Sequence, residues 1–172
     1  MDALRRALRT IPDFPTAGIQ FKDIAPILGD PDLYRAAVDA LAEPFSVGEV
    51  THVVGIEARG FWFGTALAER LRAGFVPARK PGKLPGEVLS ETYVLEYGTD
   101  TVEIQADALG PEARVLVHDD LVATGGTAAA AARLAAQTGA QVVGFSFLIE
   151  LAALGGRAQL PPGVPVHVVL GL

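Results

Sequence analysis

The chain of 172 residues contains no cysteine. That excludes disulfides, a thiol nucleophile and any cysteine-based metal site. Long hydrophobic runs are missing too: no stretch approaches the roughly 18 apolar residues a membrane-spanning helix needs, so no membrane partner is expected. The opening residues, MDALRRALRTIPDF, show no apolar core of a secretory signal. They form an amphipathic pattern with Leu4 and Leu8 on one side, and a cytoplasmic location is expected. Positive charge is in deficit, with 14 Lys and Arg against 20 Asp and Glu, a net −6. Sequence-independent nucleic-acid binding needs a basic face, so no nucleic-acid partner is expected. Lysine is scarce, three against eleven arginines, and all three fall in two loop-like stretches: Lys22 in one, Lys80 and Lys83 in the other. A compact ammonium suits phosphate oxygens, although a solvated loop would carry one equally well. His52, His118 and His167 lie scattered without metal-type spacing, which fits packed or surface histidines.

Half of the residues are hydrophobic, as in a globular chain. The length suits one domain, residues 1–172, with a substantial core. Strand and helix patterns alternate. Val53–Ile56, Phe75–Ala78, Val115–Val117, Val142–Ile149 and Val164–Leu170 are short apolar runs of the kind buried in a parallel sheet. Between them fall helix patterns: one opened by Asp30-Pro31, with Leu33, Ala37, Val38 and Leu41 at helical spacing; one over Phe61–Leu71; and an alanine-rich one over Thr127–Thr138, with Gly139 just past its end. Trp62 and Phe63 read as core. The alternation predicts an α/β fold with a parallel sheet.

Two stretches resist regular structure. Ile11–Asp23, IPDFPTAGIQFKD, carries two prolines and a glycine yet keeps Phe14, Ile19 and Phe21; it is expected to be irregular. Arg79–Gly86, RKPGKLPG, holds two prolines, two glycines and three cations, as in a mobile flap or a solvated connection. Ser90–Glu103 continues it as a β-ribbon turned at Gly98-Thr99-Asp100.

The most informative stretch is Val115–Thr127, VLVHDDLVATGGT. An apolar strand is followed by adjacent carboxylates, Asp119 and Asp120, where the strand is expected to end. A small turn, Ala123, Thr124, Gly125, Gly126 and Thr127, then opens a helix. Ligands of open α/β sheets sit at the carboxyl ends of strands, and a helix start with free N–H groups favours an anion. Paired acids beside a phosphate cradle suit a ribose phosphate. A solvated Asp-Asp turn and a tight Gly-Gly connection remain open on spacing alone. The order of residues matches neither the nucleotide-triphosphate loop nor the dinucleotide fingerprint.

DDLVATGGT resembles the phosphoribosyl-pyrophosphate (PRPP) motif of the type I phosphoribosyltransferases, and is worded most like the adenine-directed members. Three further stretches are similar to that family in the same order: Phe14–Asp23, with Ala17 in place of a proline and Gln20 in place of an apolar residue; Glu57-Ala58-Arg59-Gly60; and Arg79–Gly86, with Pro81 in place of a basic residue. The resemblance spans residues 5 to 170. It implies a Rossmann-like parallel sheet flanked by helices, with an N-terminal hood segment (about 1–30) and a flexible β-ribbon flap (about 79–105). It also implies transfer of the 5-phosphoribosyl group from PRPP to adenine, giving AMP and diphosphate, in a homodimer. Site roles follow by the same resemblance. Asp119, Asp120 and Ala123–Thr127 take the ribose and 5′-phosphate. Arg59, Arg79, Lys80 and Lys83 take the diphosphate, and Ile19, Gln20 and Phe21 take adenine. Glu96, Arg59 and Lys80 are the catalytic candidates. Mg²⁺ is expected on substrate oxygens and water rather than in a protein cage. A transferase for hypoxanthine, guanine or xanthine, or a non-catalytic PRPP-binding regulator, would share the motif.

Overall fold

The computed structural model describes residues 1–94 and 98–172. The first helix, α1 (Asp2–Ala7), buries Leu4 and leads into an antiparallel ribbon of β1 (Arg9–Pro12) and β2 (Gln20–Asp23). Here the expectation of irregular chain over Ile11–Asp23 fails. Ile11 pairs with Phe21, and Pro12 with Gln20. Pro15 and Gly18 fall at the hairpin tip, so they interrupt no ladder, and Pro12 ends its strand. A short helix α2 (Ala25–Gly29), not foreseen, precedes α3 (Pro31–Ala42). Asp30 caps α3, accepting from the N–H groups of Asp32 (2.9 Å) and Leu33 (3.0 Å), an arrangement that contributes about 1 kcal/mol.

The body is a five-stranded sheet. Along the chain come β3 (His52–Ile56), α4 (Gly60–Leu71), β4 (Gly74–Ala78), a ribbon of β5 (Val88–Val94) and β6 (Thr99–Gln105), β7 (Arg114–Val122), α5 (Gly126–Gln137), β8 (Gln141–Glu150), two 3-10 turns (Ala152–Leu154 and Gly156–Gln159) and β9 (Val166–Gly171). The sheet order is β4-β3-β7-β8-β9, and every neighbouring pair is parallel. Parallel strands need crossovers: α4 joins β3 to β4, α5 joins β7 to β8, and the two 3-10 turns lie between β8 and β9. Thr99 and Asp100 lie in strand β6 rather than in the ribbon's turn, because Val94 pairs with Thr99.

Alternation along the strands sorts side chains onto two faces. Val54, Ile56, Val115 and Val117 join the core beneath α5, with Tyr93, Val102 and Ile104 of the ribbon. Val53 and Leu116 join the core beneath α1 to α4. Small residues on α5, Ala128 to Ala132, are all buried. Phe63 is fully buried, which contributes about 1.5–3 kcal/mol. Trp62 is not core as expected: it is 44% exposed. Neighbouring residues on a helix point about 100° apart, so only one of the two aromatics can face the sheet. No helix among the described residues is long and apolar enough to cross a membrane.

Candidate active site

The chain builds outward from β3 to β4, then returns to the other side of β3 for β7 and continues outward to β9. The connection therefore reverses between β3 and β7, and a crevice opens there at the strands' carboxyl ends. Pairing between these strands stops at Gly55 and His118, while β7 runs on to Val122, paired with β8 alone. Asp119 and Asp120 thus stand within an overhanging strand, not after its end as the sequence led us to expect. The last part of β7 lacks a partner on one side, and that vacancy is the crevice.

The carboxyl of Asp120 is buried, 1% exposed as a residue, with Oδ2 3.2 Å from Arg59 Nε. The approach is an ion pair without an aligned hydrogen bond, so that oxygen lacks a donor. A half-satisfied buried charge is destabilising and is stable here only because the surrounding sheet enforces it. Asp119 Oδ1 accepts from the Asp120 N–H at 2.8 Å. Burial, then the Asp120 charge, pushes the Asp119 carboxyl well above its ordinary range. Burial raises Asp120 as well, against the pull of Arg59. Arg59 caps the start of α4, and the next residue, Gly60, packs on β7: a Cβ there would stand 2.9 Å from the His118 carbonyl oxygen. Beneath the pair, His118 is fully buried, with Nδ1 2.8 Å from the Ser146 carbonyl oxygen. Burial lowers its pKa to about 4, so it is neutral at physiological pH.

The turn after β7 encloses a small cavity of about 100 Å³, lined by Asp119 and by Ala123, Thr124, Gly125, Gly126, Thr127 and Ala128. Gly125 has φ +81° and caps α5. The first-turn N–H groups have no partner within the helix, and with the dipole they offer an anion site. The turn is braced from behind. A Cβ on Gly125 would lie 2.2 Å from the Gly156 carbonyl oxygen, and one on Gly156 2.3 Å from that of Ala123. Two backbones meet there with no room for a side chain.

The flap begins at the end of β4 and folds around Glu57, the residue after β3. Arg79 Nε and Nη2 donate to Glu57 at 3.2 and 3.3 Å, the Lys80 N–H donates at 2.9 Å and Lys83 Nζ at 2.6 Å. Burial would raise the Glu57 carboxyl, but donation from Lys83, Lys80 and Arg79 outweighs it and brings it down to about 2. Lys80 Nζ donates instead to Asp100 and to Tyr93 Oη; burial would lower this ammonium's pKa, and those two partners raise it. Tyr93 brings the ribbon over the phosphate turn, its ring 3.3 Å from where a Cβ on Gly126 would stand. A narrow crevice lined by Glu57, Arg79, Lys80 and Thr127 joins flap base and turn.

On the hood, Phe14 meets Phe21 edge to face at 5.1 Å. The Arg59 guanidinium lies over the Phe21 ring, 5.0 Å from its centroid. Ile19 and Gln20 are exposed at the ribbon. The diphosphate and ribose candidates and Phe21 therefore lie on or beside one rim; Ile19 and Gln20 precede Phe21 on the exposed hood hairpin, and Glu96 lies outside the described residues. Sequence reasoning missed Glu57, Asp100, Tyr93 and Gly156 as site residues. The one signal for the two acids was charge balance: three cations in a short loop need counter-ions.

A phosphoribosyl transferase domain model matches residues 28–159, and the chain belongs to the phosphoribosyltransferase family. Within that family it is similar to adenine phosphoribosyltransferases. The enzyme of that name from a Synechococcus is 58% identical over 97% of this chain and 96% of its own. A crystal structure of adenine phosphoribosyltransferase from Rhodothermus marinus superposes with a TM-score of 0.95 at 60% identity, covering 99% of this chain and 97% of that one. The Saccharomyces cerevisiae enzyme, solved with an imino-altritol bisphosphate and adenine, gives a TM-score of 0.92 at 44% identity, covering 98% and 97%.

Proposed function

We infer that this chain is an adenine phosphoribosyltransferase of purine salvage, transferring the 5-phosphoribosyl group of PRPP to adenine to give AMP and diphosphate. Diphosphate leaves the anomeric carbon, the base nitrogen bonds to it, and the ring passes through an oxocarbenium-like state. Asp119 and Asp120 accept from the ribose hydroxyls and sit beside the developing positive charge. Ala123–Thr127 bind the 5′-phosphate. Arg59, Arg79, Lys80 and Lys83 stabilise the charge that builds on the departing diphosphate. Phe21 stacks on adenine, with Ile19 and Gln20 lining its edge. Glu96 assists proton movement at the base, and the flap excludes water from an intermediate prone to hydrolysis.

One observation carries this reading. Arg59 touches both the Asp120 carboxylate, at 3.2 Å, and the Phe21 ring, at 5.0 Å. The reaction joins a base to a ribose carbon, so the two subsites must adjoin, and this residue links them.

Mg²⁺ neutralises PRPP oxygens when bound. Among the described residues no three His, Cys, Asp or Glu side chains cluster as a metal cage. An ion that keeps water and substrate oxygens needs none. The same reading makes residues 1–172 one domain, with hood 1–30 and flap 79–105, in a cytoplasmic homodimer. A broad groove on α3 and the far half of α4, which mixes Tyr34, Val38 and Val47 with the charged Arg35, Asp39 and Arg70, is the surface we assign to a second copy.

Steady-state rates with PRPP and each of adenine, hypoxanthine, guanine and xanthine test the function. Adenine is expected to have the highest kcat/KM. Turnover of another base without adenine would remove the assignment, and PRPP binding without turnover would point to a regulator.

A further inference from the structure

Each flap cation has an internal anion. Arg79 and Lys83 share Glu57, and Lys80 has Asp100. Glu57 is well shielded, its side chain 11% exposed, and it receives four donor atoms: two from Arg79, one from the Lys80 backbone and one from Lys83. That donor set, a guanidinium, a backbone N–H and an ammonium around two oxygens, is also what one end of a diphosphate would recruit. The carboxylate differs in one respect: it is tethered to β3 and cannot leave.

We propose that Glu57 is a positioning residue that acts as a built-in stand-in for diphosphate, holding Arg79 and Lys83 when the site is empty and reclaiming them when the product departs. This rests on the reading of Arg79, Lys80 and Lys83 as diphosphate ligands. Two consequences follow. The cations stay gathered at the flap base instead of scattering into solvent, so less ordering remains to be done when PRPP arrives. Diphosphate must also displace a competing charge, so its affinity is set below what Arg79 and Lys83 would give without Glu57, and release is eased.

The test titrates inorganic diphosphate with Mg²⁺ into the intact protein by calorimetry, comparing the parent with Glu57→Gln. The amide keeps an acceptor for the Lys80 N–H but removes the competing charge. Diphosphate is expected to bind about tenfold more tightly, the size of one charge-assisted hydrogen bond. Glu57→Asp and Glu57→Asn form a second charged and neutral pair, with the neutral member again binding more tightly. They decide the matter if Glu57→Gln does not fold. Unchanged or weaker diphosphate binding in the neutral variants overturns the proposal. Arg79→Ala in the same titration separates the two layers. It must weaken diphosphate binding if the flap cations are ligands, and parental binding there would remove that reading itself.

Discussion

The two halves of the rim are built differently. Asp119, Asp120 and the Ala123–Thr127 turn belong to the central sheet and to α5, with the core directly beneath them. Phe21 sits on a two-stranded ribbon and the flap cations on the loop between β4 and the β5-β6 ribbon, held by side-chain ion pairs and by edge contacts between aromatics. Isolated two-stranded ribbons are marginally stable in water. The first half therefore holds the carboxylate pair on the sheet itself, while the second depends on its side-chain pairs, with the flap ribbon anchored to the core through Tyr93, Val102 and Ile104. On the proposed reading, ribose and phosphate fall to the sheet-borne half, and the base and diphosphate to the hood and flap.

Substitutions on either side should behave accordingly. The largest effect is expected from Asp120→Asn. Removing this charge should lower kcat/KM for PRPP by about a hundredfold, as for other preorganised electrostatic groups. The Tm should hold or rise, because burial already disfavours the charged form. A falling Tm with normal kinetics would mean that the acid serves the fold. Gly156→Ala comes next. Its Cβ has no space against Ala123, so the phosphate turn must shift, at about 1–3 kcal/mol of strain. The KM for PRPP and the thermal midpoint should both worsen, and parental values for both would show that the turn has slack. The smallest effect is expected on the ribbon. Phe21→Ala should raise the KM for adenine by about tenfold through lost stacking, with Tm nearly unchanged. A large fall in Tm instead would make Phe21 a packing residue and weaken the contrast between the halves.

Much of this was legible in the sequence because it is local. The apolar strands, the Asp30 cap and the end of α5 at Gly139 each follow from neighbouring residues. The hood was misread because its breakers gather at a hairpin tip, a placement that composition does not reveal. Trp62 and Phe63 are adjacent letters with opposite surroundings, decided by helix phase. The acid pair was set at a strand end because the apolar run stops at Val117, whereas β7 continues past its pairing with β3 to Val122. Glu57, Asp100 and Gly156 were missed because their partners lie about twenty or more residues away. Only the fold brings them together.

Trp62 has a practical consequence. It is the chain's one tryptophan, and it stands half exposed, three residues after Arg59, its carbonyl oxygen held at 2.7 Å by Tyr34 Oη. The intrinsic indole emission of the chain thus arises from a single known position on the helix that begins at the active-site rim. The unmodified protein carries its own fluorophore for following how that helix responds as ligands bind.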